Sequence, residues 1–519
     1  MRNLFVKPSF RVASLATLLV AIPAMGAMHG CTDLEEVPTS NISPGNFYRT
    51  EAEIRGGLAG AYAMLRDGVQ QGFWFASEVS SGEGLFPTRG SDWFDNGKWL
   101  ELYRQTWAAG SAITNDDVNS AWNQLFTGVS RANVVLAAIE PKSIANKAAI
   151  TAELRALRAF YYYLLMDLFG GVPIVTTPEV ETRAASTRAQ VFAFVEQELT
   201  AARADLPQKW PAADYGRITQ GAADAILASL YLNAEVFSGT VTASGLTKGT
   251  ARWADAVTAA DRILNSGTYS LASNWQSNFS PTNESSPENI FVVRNTPAPG
   301  QGLTFINRSG HYNHYRSPGG WNGFSVLAET YNLFDAADQR RNIFLVGPQN
   351  SLETGLPIND RTGNRLVLSP TISSITAAAE NEGIRVVKFP FDPAHAAEHM
   401  GNDFTIFRLA EIYLIKAEAL NELNRTAEAI ALVNTIRARV FNPPRPLGSM
   451  SQAAFRTAIL NERLFELTTE AKRRQDLIRL GGFTAPRQFK PQTEPFRILF
   501  PIPSRQLQTN PLLVQNPGY

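Results

Sequence analysis

The sequence predicts a mostly α-helical protein in which tetratricopeptide-like helix pairs form one large domain with loop-rich insertions and a few short strands. Apolar residues recur with helical spacing toward both ends of the chain. Helix–turn–helix units repeat at roughly 34 residues, the length of a tetratricopeptide unit. Two glycine- and aromatic-rich stretches, about 68–110 and 269–399, interrupt this pattern and define the insertions.

Amphipathic spacing and end signals place the individual elements. Helices are predicted over 51–66, 116–139, 148–169, 188–206, 219–237, 251–266, 402–423, 426–440 and 452–480, and strands over 289–295 and 383–391. The clearest pair covers 408–439, where Ala417, Ala419 and Ala429 are small enough to let two helices approach closely.

The N-terminal residues predict an exported, lipid-anchored protein. Cations and no acids precede an apolar run over 12–27 that is too short to span a bilayer, and Gly30 stands before Cys31, the only cysteine of the chain. We therefore expect a lipoprotein signal peptide at 1–30, lipidation of Cys31, a polar tether at 31–46 and the helical domain at 47–519. The alternative is a plain secretory signal in which Cys31 is incidental.

Charge and cysteine content exclude several classes of protein. Basic and acidic residues balance at 47 each, so the chain has no excess of positive charge for binding nucleic acid. A single cysteine forms no internal disulfide, and stability must come from a large apolar core. The sequence contains no P-loop or dinucleotide fingerprint, and we predict no cofactor.

A series of motifs resembles the RagB/SusD family of outer-membrane nutrient-uptake lipoproteins. They lie, in order, at 121–133, 153–164, 168–175, 407–419, 433–439, 462–479 and 500–519. Departures are His29 before the cysteine and Ala471 where a glycine commonly follows the glutamate. We expect Ala471 to cost little stability, because we expect it to lie in a helix.

The resemblance implies a fold, a place and a role. It implies helix pairs that hold a variable loop-rich region, and a surface-exposed protein anchored to the outer membrane by its N-terminal lipid. It also implies a SusC-like TonB-dependent β-barrel transporter as partner, with an oligosaccharide or peptide as ligand. Members of the family are binding proteins and not enzymes.

The aromatic residues of the insertions predict the ligand site. Sugar rings have apolar faces that lie flat on aromatic planes, while their hydroxyls need fixed donors and acceptors. The candidate contacts are Trp93, Phe94 and Asn96 in the first insertion and Tyr312, Tyr315 and Trp321 in the second. The alternative is that these aromatics only pack helix-poor insertions.

Two other patterns suggest catalysis or metal binding. His395, Glu398 and His399 match the H-x-x-E-H pattern of inverted zinc proteases, which makes a secreted zinc hydrolase the alternative function. That pattern needs a helix, and flanking Pro393 and Gly401 leave little room for one. His311 and His314 without a nearby carboxylate are weak evidence for a metal, so we predict none.

A row of carboxylates near the C-terminus could suggest a glycosidase. Glu462, Glu466 and Glu470 recur at helical spacing among arginines. Glycoside hydrolysis needs two acids across a substrate cleft, so we expect these residues to form an ion-pair network that fixes the last helix. The sequence as a whole predicts a surface lipoprotein that captures an oligosaccharide and delivers it to a transporter.

Overall fold

Paired helices dominate the structure, a computed structural model that describes residues 47–519. The predicted signal peptide, Cys31 and the tether lie outside the described residues. The α-helices are α1 (Glu51–Met64), α2 (Trp74–Ser81), α3 (Lys98–Arg104), α4 (Asn119–Ile139), α5 (Lys147–Phe169), α6 (Arg188–Arg203), α7 (Gln220–Leu232), α8 (Ala234–Phe237), α9 (Trp253–Leu264), α10 (Phe305–Ser309), α11 (Ala328–Tyr331), α12 (Leu409–Glu422), α13 (Thr426–Arg437), α14 (Gln452–Leu467), α15 (Arg473–Leu480) and α16 (Ser504–Thr509).

The long helices stack in chain order. Helix α1 packs on α4, α4 on α5, α5 on α6, α6 on α7, α7 on α9, α9 on α12, and α12 on both α13 and α14. At the clearest predicted pair, Ala417 and Ala429 are fully buried between α12 and α13, where small side chains allow close approach. The predicted scaffold of helix pairs is therefore confirmed.

The strands are short and form five antiparallel pairs within residues 47–519. The strands are β1 (Gly84–Leu85), β2 (Thr240–Thr242), β3 (Gly245–Thr247), β4 (Asn289–Val293), β5 (Ser325–Val326), β6 (Phe344–Leu345), β7 (Gly347–Pro348), β8 (Val367–Leu368), β9 (Arg385–Val386) and β10 (Phe404–Arg408). They pair as β1–β5, β2–β3, β4–β10, β6–β9 and β7–β8. The β1–β5 pair joins the first insertion directly to the second.

Several element boundaries differ from the prediction. The helix expected over 402–423 begins only at Leu409, because the fully buried Phe404–Arg408 segment forms β10 against β4. The strand expected over 383–391 shrinks to β9. The first insertion is more helical than predicted, since a π-helical segment, Leu65–Phe73, links α1 to α2.

The helix predicted over 452–480 is interrupted. It ends at Leu467 and resumes at Arg473, and between these points Thr469 and Ala471 have φ angles of 64° and 60°. Left-handed backbone cannot continue a right-handed helix. The expectation that Ala471 lies in a helix is wrong for this reason.

The carboxylates Glu462, Glu466 and Glu470 lie in a buried ion-pair network, as predicted, and their partners include arginines that are distant along the chain. Arg340 contacts Glu462 at 2.7 Å and Glu466 at 2.9 Å, and Arg408 contacts Glu466 at 2.6 Å and Glu470 at 2.7 Å. Glu470 lies beyond the end of α14, so the three acids do not form one helical row. The network joins β10 to α14 and the loop that follows it.

Between residues 47 and 519, none of the helices combines the length and the apolar character that crossing a bilayer requires.

Candidate functional site

Aromatic side chains from the two insertions meet at a partly exposed surface that we call the aromatic platform: Trp93, Tyr312 and Trp321. The ring centroids of Trp93 and Trp321 lie 6.5 Å apart with a 44° angle between their planes. The Trp93 indole N–H donates to the main-chain oxygen of Trp321 at 2.8 Å. The hydroxyl of Tyr312 donates to the carboxylate of Asp92. These contacts bring the two predicted candidate segments together.

The loop that presents Trp93 has an unusual backbone. Trp93, Asp95 and Asn96 have φ angles of 60°, 37° and 56°, and Gly97 follows at 78°. A bulky residue in the left-handed region is a genuine outlier and costs of order 1–2 kcal/mol. Such backbone persists where the surroundings over-determine it, and it concentrates at binding sites.

Buried rings determine where Trp93 lies. Phe86, which is fully buried, stacks on it with centroids 4.4 Å apart, and Trp99 meets it edge-on at 5.7 Å. The Trp99 indole N–H donates to the Asp95 carboxylate at 2.6 Å, which ties the loop to the start of α3. The platform is therefore supported by rigid packing, which limits the entropy lost when a ligand binds.

Two buried arginines hold the second insertion against the first. The Arg89 Nε donates to the main-chain oxygen of Asn322 at 2.9 Å, and the Arg385 Nε donates to the side-chain oxygen of Asn322 at 2.9 Å. Burial lowers the pKa of Arg89 to about 10. Both arginines also donate to the hydroxyl of Ser325 in β5. Arg89 thus positions the segment that follows Trp321.

Charged groups form the polar edge of the platform. The guanidinium of Arg361 lies 4.0 Å from the centre of the Tyr312 ring, and it contacts Glu380 at 3.0 Å and Asp92 at 3.7 Å. Burial and the neighbouring Asp92 carboxylate raise the pKa of Tyr312 to about 12. The edge therefore offers fixed donors and acceptors beside aromatic planes. No sequence signal singled out Arg361, which is distant from the aromatics along the chain.

The remaining candidates differ in accessibility. Phe94 is 55% exposed, and Asn96 is exposed on the same loop. Tyr315, in contrast, is only 2% exposed, with its ring 5.1 Å from Phe391 and 6.0 Å from His395. Burial raises its pKa. Tyr315 thus supports the loop from beneath, and its position does not favour stacking on a ligand.

His311 and His314, in the second insertion, are structural. His311 contacts the Glu380 carboxylate at 2.6 Å, and its main-chain N–H donates to the His314 Nδ1 at 2.8 Å. Both rings are fully buried, and burial lowers the pKa of His311 to about 4 and that of His314 to about 3. Across residues 47–519, no cluster of three or more histidine, cysteine or acidic side chains could hold a metal ion.

The H-x-x-E-H segment forms a tight turn. His399 and Ala396 exchange main-chain hydrogen bonds at 3.0 Å, and Ala397 has a φ of 51°. His399 Nε2 accepts from the Gly300 N–H at 2.9 Å, while His395 Nδ1 contacts the Ala397 oxygen at 2.7 Å. The zinc-hydrolase alternative required both imidazoles on one helix, and this geometry does not provide that arrangement.

The fold and the site together define a class: a helical-repeat scaffold whose long insertions present a partly exposed aromatic surface of the kind used for binding. Comparison with known proteins gives the family. A model described as "SusD family" matches residues 287–519, and one described as "Starch-binding associating with outer membrane" matches residues 61–232. The chain belongs to the SusD family.

Relatives match over almost their whole length. SusD-like protein P25 of Formosa agariphila is 25% identical, covering 94% of this chain and 96% of the relative. The starch-binding protein SusD of Bacteroides thetaiotaomicron is 22% identical over all of both chains.

Solved structures show the same fold. A laminarin-binding SusD-like protein aligns with a TM-score of 0.72 at 24% identity, covering 91% of this chain and 100% of the other. Surface glycan-binding protein A from Bacteroides uniformis aligns with a TM-score of 0.70 at 21% identity, covering 90% and 99%. The family relationship and the fold therefore agree.

Proposed function

We propose that this protein captures an oligosaccharide on the aromatic platform and delivers it to a SusC-like TonB-dependent outer-membrane transporter. The observation that supports this most directly is the meeting of Trp93, Tyr312 and Trp321, which come from separate insertions yet form one partly exposed surface. Charged and amide groups surround these rings. That combination suits a ligand with alternating apolar ring faces and hydroxyls.

The names of the relatives agree with a glycan ligand. Three of the compared proteins are described as a starch-binding, a laminarin-binding and a surface glycan-binding protein. A binding role also agrees with the geometry, because the acids of α14 form buried ion pairs and the H-x-x-E-H segment is a turn. Capture followed by release to a transporter requires moderate affinity.

Calorimetry with a panel of neutral oligosaccharides tests the ligand class. Trp93→Ala and Trp321→Ala should each weaken binding by roughly 1–3 kcal/mol, the scale of burying a large apolar side chain. Trp253→Ala is the matched control, because it removes a partly buried indole from α9, away from the platform. Binding of both platform variants at wild-type strength, with the fold intact, would refute the site. A peptide ligand in place of glycans would refute the substrate class.

Membrane attachment and the transporter are tested separately. We propose that Cys31 carries the lipid that anchors the protein to the outer-membrane surface. Mass spectrometry of detergent-extracted protein should find an acylated cysteine at the mature N-terminus, and Cys31→Ala protein should leave the membrane fraction.

A tether confines the protein near its partner and raises the effective concentration, so a barrel should co-purify with the wild type. Pull-downs from native membranes that repeatedly lack a barrel would contradict the delivery step.

A further inference from the structure

A two-lobed cleft lies between α1, the loop 212–217 and β4, and it shares no lining residue with the aromatic platform. One lobe, of about 610 Å³, is bounded by α1, the start of the π-helical segment and the residues after β4. The other lobe, also about 610 Å³, shares Tyr215 and Gly216 with the first. Val292 and Arg294 line both lobes. Each lobe has the volume of an ordinary small-ligand site.

Arginines line the first lobe, and two of them are already neutralised. Arg217 contacts Glu153 at 2.9 Å and Asp214 at 3.0 Å. Arg55 contacts Glu51 at 3.2 Å and Asp214 at 3.9 Å. Asp214, the only acid that lines this lobe, is therefore shared between them.

The other two arginines have no acidic partner. Among residues 47–519, no carboxylate lies within ion-pair distance of Arg66 or Arg294, and Asp67 and Asp403 act on them only from farther away. The Arg66 guanidinium donates to the main-chain oxygen of Arg294 at 3.0 Å, so the two residues are neighbours on one wall. The Nε of Arg66 is buried without a hydrogen-bond partner. A partly buried cation without an anion is costly, and a bound anion relieves that cost.

The local backbone that holds Arg66 is also unusual. Arg66 lies at the start of the π-helical segment, Leu65–Phe73, which runs for nine residues. π-Helical turns are rare, and they occur frequently at functional sites. Arg66 lines the cleft from this segment.

The second lobe offers ring faces and hydroxyl groups. Trp210 and Tyr269 are partly exposed there, together with Thr268 and Ser285. The Trp210 indole N–H donates to the Ile218 oxygen at 2.8 Å, and the Arg217 guanidinium covers one face of the ring at 3.7 Å, so the ring is held in place. The wall that carries Arg66 and Arg294 thus adjoins a surface of ring faces and hydroxyl groups, on which Lys209 and Glu284 are also exposed.

We propose that this cleft is a second binding site, which takes a carboxylate-bearing sugar oligomer with its carboxylate between Arg66 and Arg294. The adjoining sugar rings lie over Tyr215 toward Trp210 and Tyr269. Arginine suits this role because its planar fork matches a carboxylate. The site goes beyond the proposed capture of a glycan on the platform and does not depend on it.

Calorimetry with trigalacturonate and with its fully methyl-esterified form tests the site, since esterification removes the charge and keeps the rings. The acid should bind, more weakly as salt is raised, and the ester should bind at least about tenfold more weakly. Arg294→Gln and Arg66→Gln should each weaken binding of the acid by about tenfold or more. Arg55→Gln is the matched control in the same lobe, because Arg55 is exposed and already paired. The affinity of this variant for trigalacturonate should stay within about twofold of the wild type.

The variants also separate this site from the platform. Trp321→Ala should bind trigalacturonate like the wild type, and loss of binding in that variant would overturn the second site. Equal affinity for acid and ester, or no binding of the acid at millimolar concentration, would also overturn it. So would binding of triglutamate in place of trigalacturonate, which would assign the cleft to acidic peptides. Arg294 is exposed, so Arg294→Gln keeps the test valid even if Arg66→Gln impairs folding.

Discussion

The indole ring of Trp93 lies directly against Gly323, with no room for a side chain between them. A Cβ atom at position 323 would lie 2.3 Å from Cε2 of Trp93 and 2.7 Å from its Nε1. Gly323 follows Asn322, which Arg89 and Arg385 hold in place. The position of the platform's central ring therefore depends on a glycine in the other insertion, and this dependence provides a test that leaves every aromatic residue intact.

Gly323→Ala should displace Trp93 and break its hydrogen bond to the Trp321 oxygen. The added methyl group meets a ring that Phe86 holds from another side, so the strained loop must move. We expect oligosaccharide binding to fall by about 1–3 kcal/mol, as for removal of the ring itself. Calorimetry measures the affinity, and near-ultraviolet circular dichroism reports the environment of the tryptophans.

Gly448→Ala is the control for this substitution, because nothing lies within 4 Å of a Cβ atom there and its φ is not positive. It should bind like the wild type. If Gly323→Ala also binds like the wild type and keeps its tryptophan spectrum, then the platform does not depend on the position of Trp93.

The scaffold could be predicted from the sequence because each helix carries its own pattern. Helical spacing places α5 and α13 to within a residue or a few, since it depends on one segment at a time. The platform needs contacts between distant residues: Arg361 lies beside Tyr312 only because the second insertion folds back. Tyr315 shows the same limit, since sequence composition does not distinguish a buried tyrosine from an exposed one in a loop.

Glu466→Gln should destabilise the protein strongly. Glu466 is fully buried and contacts Arg408 at 2.6 Å and Arg340 at 2.9 Å, with Arg439 also bound. Burial alone would raise its pKa, but the three arginines outweigh that effect and lower it. Removing the charge leaves buried cations undercompensated, which costs about 3–5 kcal/mol. Urea unfolding at pH 7 measures the loss.

A surface pair provides the comparison for Glu466. Glu428 contacts Arg425 at 2.6 Å, but both groups are exposed, so Glu428→Gln should change stability little. The pKa of Glu466 is lower in the folded state than in the unfolded state. Its contribution to the free energy of unfolding is therefore present above the unfolded-state pKa and is lost as pH falls through the folded-state pKa. If Glu466→Gln and Glu428→Gln unfold at the same urea concentration, the network is not a stabilising unit.

Asp403→Asn should remove a pH dependence of the free energy of unfolding. The sign of this dependence is opposite to that expected for Glu466. Burial raises the pKa of Asp403 to about 6, despite a hydrogen bond from the Asn295 N–H at 2.7 Å. The native state therefore keeps a proton that the unfolded state has lost, and stability from this group falls as pH rises from about 4 to about 6. Relative to the wild type, the variant should gain up to about 3 kcal/mol between pH 4 and pH 7.

Urea unfolding of both proteins at several pH values measures this difference. Asp360→Asn is the control, because hydrogen bonds from Thr362 lower the pKa of Asp360. The contribution of Asp360 to stability is therefore lost toward low pH. A wild-type-minus-variant difference for Asp403 that stays constant from pH 4 to pH 7 would show that burial does not raise the pKa of its carboxyl group in the native state.

Ala471→Gly should stabilise the protein. Ala471 has a φ of 60° in the loop between α14 and α15, where its main-chain N–H donates to Glu78 at 3.0 Å and its oxygen accepts from Ser77 at 2.9 Å. These contacts with α2 hold the loop in left-handed backbone, which costs a residue with a Cβ about 1–2 kcal/mol. Glycine avoids that cost but loses about 0.5–1 kcal/mol of chain entropy, so we expect a net gain of up to about 1 kcal/mol.

Ala417→Gly, in the buried interior of α12, should instead lower the free energy of unfolding by about 1 kcal/mol. Thermal and urea unfolding measure both variants, and a loss of stability in Ala471→Gly as large as that in Ala417→Gly would show that the left-handed backbone at position 471 is not a source of strain.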